Sequence, residues 1–246
     1  MGRAFEFRKE RKFKRWGHMA KVFTKIGKEI TIAVKAGGPD VTGNPRLRAL
    51  LQTARSENMP KENIERAIKR ASEKDQADYK EVVFEGRAPH GIAVLVETAT
   101  DNNNRTVANV RSYFTKFGGS LGTSGSVDYM FDRKSVFRFK INGEYDLEEL
   151  ELEMIDCGVD ELFEEVDEDD NKSICAYGEF TSFNQIQKFI EDNGYELVSG
   201  GFERIPNTEL KDVTPEQRET LNKLTDLLEN DDDVTNVYNL LKPAEE

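Results

Sequence analysis

The first 16 residues carry the side chains best suited to bind a nucleic acid. Positions 1–16 hold seven Lys and Arg against two Glu, with four aromatic residues interleaved among them. Lys and Arg contact phosphates, and aromatic rings stack on unpaired bases. The alternative is a solvated tail. The pattern favours a nucleic-acid-binding arm, whose predicted contacts are Arg3, Arg8, Lys9, Arg11, Lys12, Lys14, Arg15 and Trp16, with Phe5, Phe7 and Phe13 between them.

Charge is segregated along the whole chain. Residues 1–74 contain 19 Lys and Arg against eight Asp and Glu, a net charge of +11, whereas residues 75–246 contain 16 against 39, a net charge of −23. A phosphate backbone attracts the first segment and repels the second. The acidic body is therefore expected to orient the protein on a nucleic acid, or to bind a basic protein partner.

Three helical patterns follow the arm. The first runs from about Met19 to Ala36, the second begins at Asn44 as N-cap with Pro45 as first residue, and the third begins at Pro60. Their apolar stripes predict a small three-helix bundle. Its outward cations either form a solvated face or extend the nucleic-acid contact of the arm. The predicted contacts are Lys21, Lys25, Lys28, Arg46, Arg48, Lys69 and Arg70.

Polar and glycine-rich segments bracket a later helix, predicted over Asn104–Phe117. Polar groups at a helix N-terminus can bind an anion, and glycines let a backbone approach a ligand closely. The alternative is capping and turn chemistry. An enzyme acting on a nucleic acid or nucleotide would have its site here. The predicted partner or ligand surface comprises Asp101, Asn102, Asn104, Arg105, Thr106, Gly118, Gly119 and Gly122.

Other reactive residues form no recognisable site. The acidic runs Asp167–Asp170 and Asp231–Asp233 lack the ligand spacing of a calcium loop and are predicted to be solvated turns. Cys157 and Cys175 lack the nearby histidine of a zinc site, and His18 and His90 complete no catalytic triad. We predict no catalytic residue, metal or cofactor. The two cysteines, and the lack of an apolar run of about 20 residues, predict a cytoplasmic protein without a membrane partner.

Short strands alternate with helices after a polar linker, and the predicted fold class is α+β. Residues 134–199 have the order βαββαβ of a ferredoxin-like domain. The flanks contain the strands predicted at Val82–Glu85, Ile92–Thr98, Ser126–Phe131, Gly201–Ile205 and Asp233–Leu240. The predicted domains are an arm (1–16), a three-helix bundle (17–78) and two ferredoxin-like α/β sandwich domains, with the third domain (134–199) inserted into the second (79–133 plus 200–246).

Long motifs resemble the YebC-like family from about Lys21 to Leu241. They include VFTKIGKEITIAVKAGG, NPRLRALLQTARSENMPKENIERAIKR and FEGRAPHGIAVLVETATDNNNRTVANVRSYFTKFGGSLGTSGSVDYMF. The resemblance implies three domains, with the third inserted into the second. The family contains bacterial proteins described as probable transcriptional regulators and the mitochondrial translational activator of cytochrome c oxidase. Its members commonly begin with His-Ser-Lys-Trp, whereas this chain has Lys14-Arg15-Trp16-Gly17-His18, so the role of the arm rests on composition.

The resulting prediction is a non-enzymatic, nucleic-acid-binding regulator of gene expression. The family resemblance implies a DNA-binding transcriptional regulator. The aromatic residues of the arm favour looped RNA instead, which suits the other variant that the resemblance implies, a ribosome-associated translation factor that binds ribosomal RNA. A third alternative is an adaptor that binds proteins through its sheets.

Overall fold

The computed structural model describes the backbone of residues 3–73, 78–166 and 172–242, and the side chains of these ranges from residue 19 onward. The described chain divides into two compact units. Unit 1 draws on residues 1–32, 59–127 and 211–246, and unit 2 on residues 33–58 and 128–210. The helices and strands, in chain order, are α1 (Arg3–Gly37), α2 (Pro45–Ser56), α3 (Lys61–Ser72), β1 (Lys80–Arg87), β2 (Ala93–Thr100), α4 (Asn103–Lys116), β3 (Ser120–Leu121), β4 (Phe131–Lys140), α5 (Leu147–Ile155), β5 (Val159–Val166), β6 (Lys172–Glu179), α6 (Phe183–Asp192), β7 (Glu196–Pro206), α7 (Pro215–Glu229) and β8 (Val234–Asn239).

The helix ends follow from local sequence. The Asn44 side chain accepts a hydrogen bond from the Leu47 amide at 3.0 Å, which confirms the predicted N-cap of α2. Helix α3 starts directly after Pro60, as expected. Helix α1 begins at Arg3 rather than near Met19, because residues 3–16 contain no Gly or Pro and are rich in the helix formers Arg, Lys and Glu. The predicted arm is therefore the first part of a long helix.

Helix α2 belongs to unit 2, where it packs against strand β7. Ala49 is fully buried in the same apolar core as Phe137. Gly200 lies under α2, where an added Cβ would come within 3.2 Å of the Ala49 methyl group. The compact units thus group α2 with the second sheet, and the domain limits drawn from the sequence stay a prediction.

Unit 1 contains an antiparallel sheet of order β3-β1-β2-β8. Helices α4 and α7 supply residues to its core, in which Val96, Phe114 and Leu224 are buried. Leucines 221, 224 and 228 recur at helical spacing on the buried side of α7.

Unit 2 contains an antiparallel sheet of order β5-β6-β4-β7. Its elements follow one another as β4-α5-β5-β6-α6-β7, which confirms the predicted βαββαβ order. Together with the N-terminal helices and the first sheet, this order agrees with the predicted α+β fold class.

The strand predicted at Ser126–Phe131 is wrong. Residues 126–130 form a loop with a short 3₁₀ turn, and the next strand begins at Phe131. Glu85 holds this loop away from a strand conformation, because its carboxylate accepts hydrogen bonds from the amides of Gly125 at 2.6 Å and Val127 at 2.7 Å. Besides β2, the strand that pairs with β1 is the two-residue β3.

The strand predicted at Gly201–Ile205 is the second half of β7, so it belongs to unit 2 and not to the first sheet. Gly200 lies inside β7, where it allows close packing, since an added Cβ would lie 2.7 Å from the ring of Phe137.

Candidate nucleic-acid interface

The predicted contacts of the arm share one helical segment. A rise of 1.5 Å per residue places residues 3–16 within about 20 Å of helix. This length carries seven basic and two acidic residues. The side chains up to residue 18, His18 among them, lie outside the described residues, so contact between this segment and phosphates stays a prediction.

Lys28 faces the interior of unit 1. Its ammonium group donates to Asp233 Oδ1 at 2.9 Å, to the Asp232 carbonyl at 2.7 Å and to the Ala99 carbonyl at 3.1 Å. These three bonds use all the protons of the ammonium group, and the residue is only 8% exposed. Lys28 is therefore withdrawn from the predicted nucleic-acid contacts.

Lys21 and Lys25 lie on the same face of α1 as Lys28, since they precede it by seven and three positions. The Lys21 ammonium donates to the Asn230 side-chain oxygen, and the Lys25 ammonium donates to the Thr235 carbonyl at 3.4 Å. Burial lowers the pKa of Lys25, although nearby Glu229 acts in the opposite direction. All three lysines thus contact the end of α7 or the start of β8.

Asp233 is the centre of a buried polar cluster. Its Oδ2 atom accepts from Arg105 Nη2 at 2.6 Å and from Thr106 Oγ1 at 2.8 Å, while Lys28 occupies Oδ1. Burial alone would raise the pKa of Asp233. Hydrogen bonds from Lys28, Arg105 and Thr106 outweigh it and lower that pKa to about 2. The Thr100 hydroxyl donates to the same Oδ2 atom at 3.3 Å. We call Lys28, Thr100, Arg105, Thr106 and Asp233 the Asp233 cluster.

The acidic run 231–233 was predicted to be a solvated turn, which is wrong for Asp233, a residue only 4% exposed. Asp231 is also hydrogen-bonded, because its carboxylate accepts from the Tyr113 hydroxyl at 2.9 Å and from the side-chain amide of Asn109 at 3.1 Å. Burial raises the pKa of Tyr113 to about 12, and the hydrogen bond to Asp231 contributes in the same direction. The run, which directly precedes β8, thus binds α1 through Asp233 and α4 through Asp231. The other run, residues 167–170, lies outside the described residues.

The loop between β2 and α4 uses its polar groups internally. Asn102 Oδ1 accepts from the Arg105 amide at 3.1 Å and caps α4, as the capping alternative predicted. Arg105 also binds Asp101 at 2.8 Å in addition to Asp233. Thr106 is fully buried and is withdrawn as a surface residue. Asp101, Asn102 and Asn104 remain exposed, as does part of the Arg105 side chain.

The glycines after α4 serve the turn that follows this helix. Gly118 has φ +79°, a conformation that glycine adopts without strain. At Gly119 an added Cβ would lie 2.7 Å from the Arg87 carbonyl oxygen. At Gly122 it would lie 2.5 Å from Ser126 Oγ, and the Gly122 amide donates to the Glu85 carbonyl at 2.7 Å. These contacts favour turn chemistry over a ligand cradle.

Gly119→Ala is expected to lower the free energy of unfolding by about 1–3 kcal/mol, because backbone atoms cannot move away from the new methyl group as a side chain would. Urea unfolding followed by circular dichroism measures the change. Gly27→Ala is the matched control: it lies inside α1 with no atom within 4 Å of the added Cβ, and should gain about 0.5–1 kcal/mol. Equal stability of Gly119→Ala and the unmodified protein would contradict the packing argument.

The remaining predicted cations divide into two groups. Arg48 binds Glu191 at 2.8 Å and the carbonyls of Val41 and Thr42, so it mainly stabilises unit 2; Arg46, also in α2, is half-buried. Lys69 and Arg70 are exposed in the last turn of α3. Arg66, which the sequence prediction omitted, is exposed on the same helix. These three α3 cations form no hydrogen bond or ion pair with the side chains that the structure describes, which leaves them available to phosphates.

The other reactive residues are separate from one another. Within the described ranges, His, Cys, Asp and Glu form no group of three or more that could hold a metal ion. Cys157 and Cys175 are both free, and burial raises the pKa of Cys175 to about 12. His90 lies in a short turn, with its Nδ1 3.3 Å from the Gln217 side-chain nitrogen. Among the helices described, none is long and apolar enough to cross a bilayer.

Two family models together cover almost the whole chain. The model described as the TACO1/YebC protein N-terminal domain matches residues 3–74, and the model of the TACO1/YebC second and third domain matches residues 79–240. The chain belongs to the TACO1/YebC family.

Relatives in the TACO1/YebC family share most of their length with this chain. A protein of Parabacteroides distasonis is 62% identical over 98% of this chain and 97% of its own length. A protein of Porphyromonas gingivalis is 61% identical over 100% of this chain and 99% of its own length. Both carry the name "Probable transcriptional regulatory protein". The crystal structure of a conserved hypothetical protein from Aquifex aeolicus is similar with a TM-score of 0.77 and 35% identity, covering 92% of this chain and 91% of that one.

Proposed function

We propose that this protein is a non-enzymatic, nucleic-acid-binding regulator of gene expression, with transcription as the first candidate process. The observation that carries the proposal is the segregation of charge: net +11 over residues 1–74 against net −23 over residues 75–246. A polyanion is attracted to the first segment and repelled by the second. The regulatory name shared by relatives at about 60% identity supports transcription.

The first part of α1, together with the exposed face of α3, is the proposed contact. Lys69 and Arg70 point outward from α3, and Arg66 adds a third cation on that helix. By contrast, Lys28 is bound to Asp233 inside unit 1 and contributes no contact. The acidic remainder would orient the chain on the nucleic acid or bind a basic protein.

A second candidate is an RNA-binding translation factor that associates with the ribosome. The aromatic residues Phe5, Phe7, Phe13 and Trp16 favour it, because they alternate with cations in the first turns of α1. Aromatic rings stack on the unpaired bases that looped RNA presents and duplex DNA hides. Both candidates place the protein in the cytoplasm.

The enzymatic alternative has less support. It would gain support from a large polar cleft at the segments Asp101–Thr106 and Gly118–Ser126, with titratable groups converging on it. In the first segment, Asp101, Arg105 and Thr106 are bonded to one another or to Asp233. In the second, the Gly125 amide donates to the Glu85 carboxylate and the Gly122 amide donates to the Glu85 carbonyl. These pairings favour a structural role for both segments.

Crosslinking in living cells distinguishes the two candidates. The tagged full-length protein is crosslinked, purified under denaturing conditions, and the attached DNA and RNA are sequenced. Enrichment of DNA upstream of genes, without ribosomal RNA, is expected for the transcriptional role. Enrichment of ribosomal RNA supports the translational role. A matched variant with Gln at the seven basic positions of residues 3–15 should lose either signal, and absence of enrichment from the unmodified protein would contradict the proposal.

A further inference from the structure

A row of aromatic rings leads from the core of unit 2 to its surface. The ring centroids of Phe137 and Phe183 are 4.7 Å apart, those of Phe183 and Phe202 are 4.8 Å apart, and those of Phe202 and Phe180 are 4.7 Å apart. Phe137 is fully buried, while Phe180 is 40% exposed. The row therefore supports one exposed ring with rigid packing behind it.

The Arg133 guanidinium lies on the exposed end of this row. Its central carbon is 4.3 Å from the centroid of Phe180 and 5.1 Å from that of Phe202. Arg133 is exposed, and it makes no hydrogen bond or ion pair with any residue in the described ranges. Neighbouring Asp132 points to the other face of the strand, where its carboxylate accepts from the side-chain amide of Asn207 at 2.9 Å. The guanidinium therefore keeps its charge and all its donors available.

The backbone holds this pair in place. The buried Ser135 hydroxyl donates to the Glu179 carbonyl at 2.9 Å and is 3.3 Å from the Phe180 carbonyl, which anchors the turn that carries the ring. Arg133 also lies directly opposite Arg204 in the β4–β7 pairing. Like charges opposite each other destabilise a sheet, and an anion between them relieves the repulsion. Arg204 has a partner in Asp128 at 3.0 Å, whereas Arg133 has none.

We propose that Arg133, supported by Phe180, stacks on an unpaired base of a single-stranded nucleic acid. A guanidinium plane can stack on aromatic rings, and the Arg133 side chain remains exposed although it lies over Phe180 and Phe202. The edge of the group can donate to the adjacent phosphate. Because the site lies on the acidic part of the chain, it acts as a local contact in addition to those of the basic segment. The inference rests on the proposed nucleic-acid-binding function and adds a second contact to it.

Fluorescence anisotropy measures the affinity of the full-length protein for labelled nucleic acids and so tests this site. The probes are oligoadenylate strands of about 12 nucleotides, as RNA and as DNA, and a duplex of the same length. Arg133→Ala should weaken single-strand binding about tenfold, the lower part of the range for one stacked base. It should also reduce the salt slope by about 0.7, as expected for one lost phosphate contact. Arg133→Lys should keep the salt slope and still lose most of the affinity, because an ammonium group cannot stack. Phe180→Ala should resemble Arg133→Lys.

Lys188→Ala is the matched control, since Lys188 is an exposed cation of unit 2 without a partner among the described residues. It should leave single-strand binding unchanged. Equal losses for Arg133→Ala on single strands and on duplex would overturn base stacking. Unchanged single-strand binding by Arg133→Ala would overturn the site alone, whereas failure of the unmodified protein to bind any of the probes would remove the proposed function as well. The Arg133 variants alter only an exposed side chain, so they test the site even if Phe180→Ala fails to fold.

Discussion

Asp233→Ala is expected to lower the free energy of unfolding by about 3–5 kcal/mol. The substitution leaves the Lys28 ammonium inside unit 1 with two carbonyl acceptors and no counter-charge. A buried charge that loses its partner pays the full penalty of desolvation. The substitution also removes the Asp233 Oδ2 atom, which accepts hydrogen bonds from both Arg105 and Thr106. Urea unfolding followed by circular dichroism measures the loss.

Asp101→Ala is the matched control, because Asp101 binds the same Arg105 side chain from an exposed position. Exposed ion pairs contribute about 0–1 kcal/mol, so its effect should be small. Lys28→Met combined with Asp233→Asn should recover part of the loss, since no buried charge then remains. Equal effects of Asp233→Ala and Asp101→Ala would contradict the assignment of Lys28–Asp233 as a buried pair.

Acid titration of stability gives an independent readout of the same cluster. The pKa of Asp233 is lowered from an ordinary value of 3.8 to about 2. A carboxylate with a lowered pKa stabilises the fold above its unfolded pKa, and this contribution disappears as the pH falls through the folded value. The unmodified protein should therefore lose stability between about pH 4 and pH 2 more steeply than Asp233→Asn does.

Removal of residues 1–16 is expected to flatten the salt dependence of nucleic-acid binding. The segment holds seven Lys and Arg, and each phosphate contact contributes about 0.7–0.9 to the slope of log affinity against log salt concentration. If all seven bind phosphates, the slope changes by about 5–6. The affinity of the unmodified protein should then fall roughly 10³-fold between about 50 and 200 mM salt, and that of the shortened protein much less. Anisotropy titrations at several salt concentrations measure both slopes.

Two full-length variants separate charge from stacking in that segment. Gln at the seven basic positions keeps helix propensity and should reproduce the flattened slope. Leu in place of Phe5, Phe7, Phe13 and Trp16 should keep the slope and weaken only single-strand binding. A slope that is unchanged in the shortened protein would exclude residues 1–16 from the interface.

Several features of this protein can be read directly from its sequence. Asn44 caps α2, Asn102 caps α4, and Thr214 forms a capping box with Gln217 at the start of α7. Each cap joins residues only three positions apart, so its geometry depends on local sequence and little else. The βαββαβ order of unit 2 is also predictable, because strand and helix periods differ within short windows. The separation of basic and acidic charge is a property of composition alone.

Other features depend on contacts between distant parts of the chain. Helical spacing places Lys28 on one face of α1, but it does not indicate whether that face meets solvent or, as here, a carboxylate 205 positions away. The role of Glu85 depends on amides 40 and 42 positions later, and the continuity of β7 through Gly200 depends on the Phe137 ring beneath it. Periodicity defines which side chains share a face. Tertiary packing determines what that face contacts, and so separates the cations that stabilise the fold from those that stay free to bind a ligand.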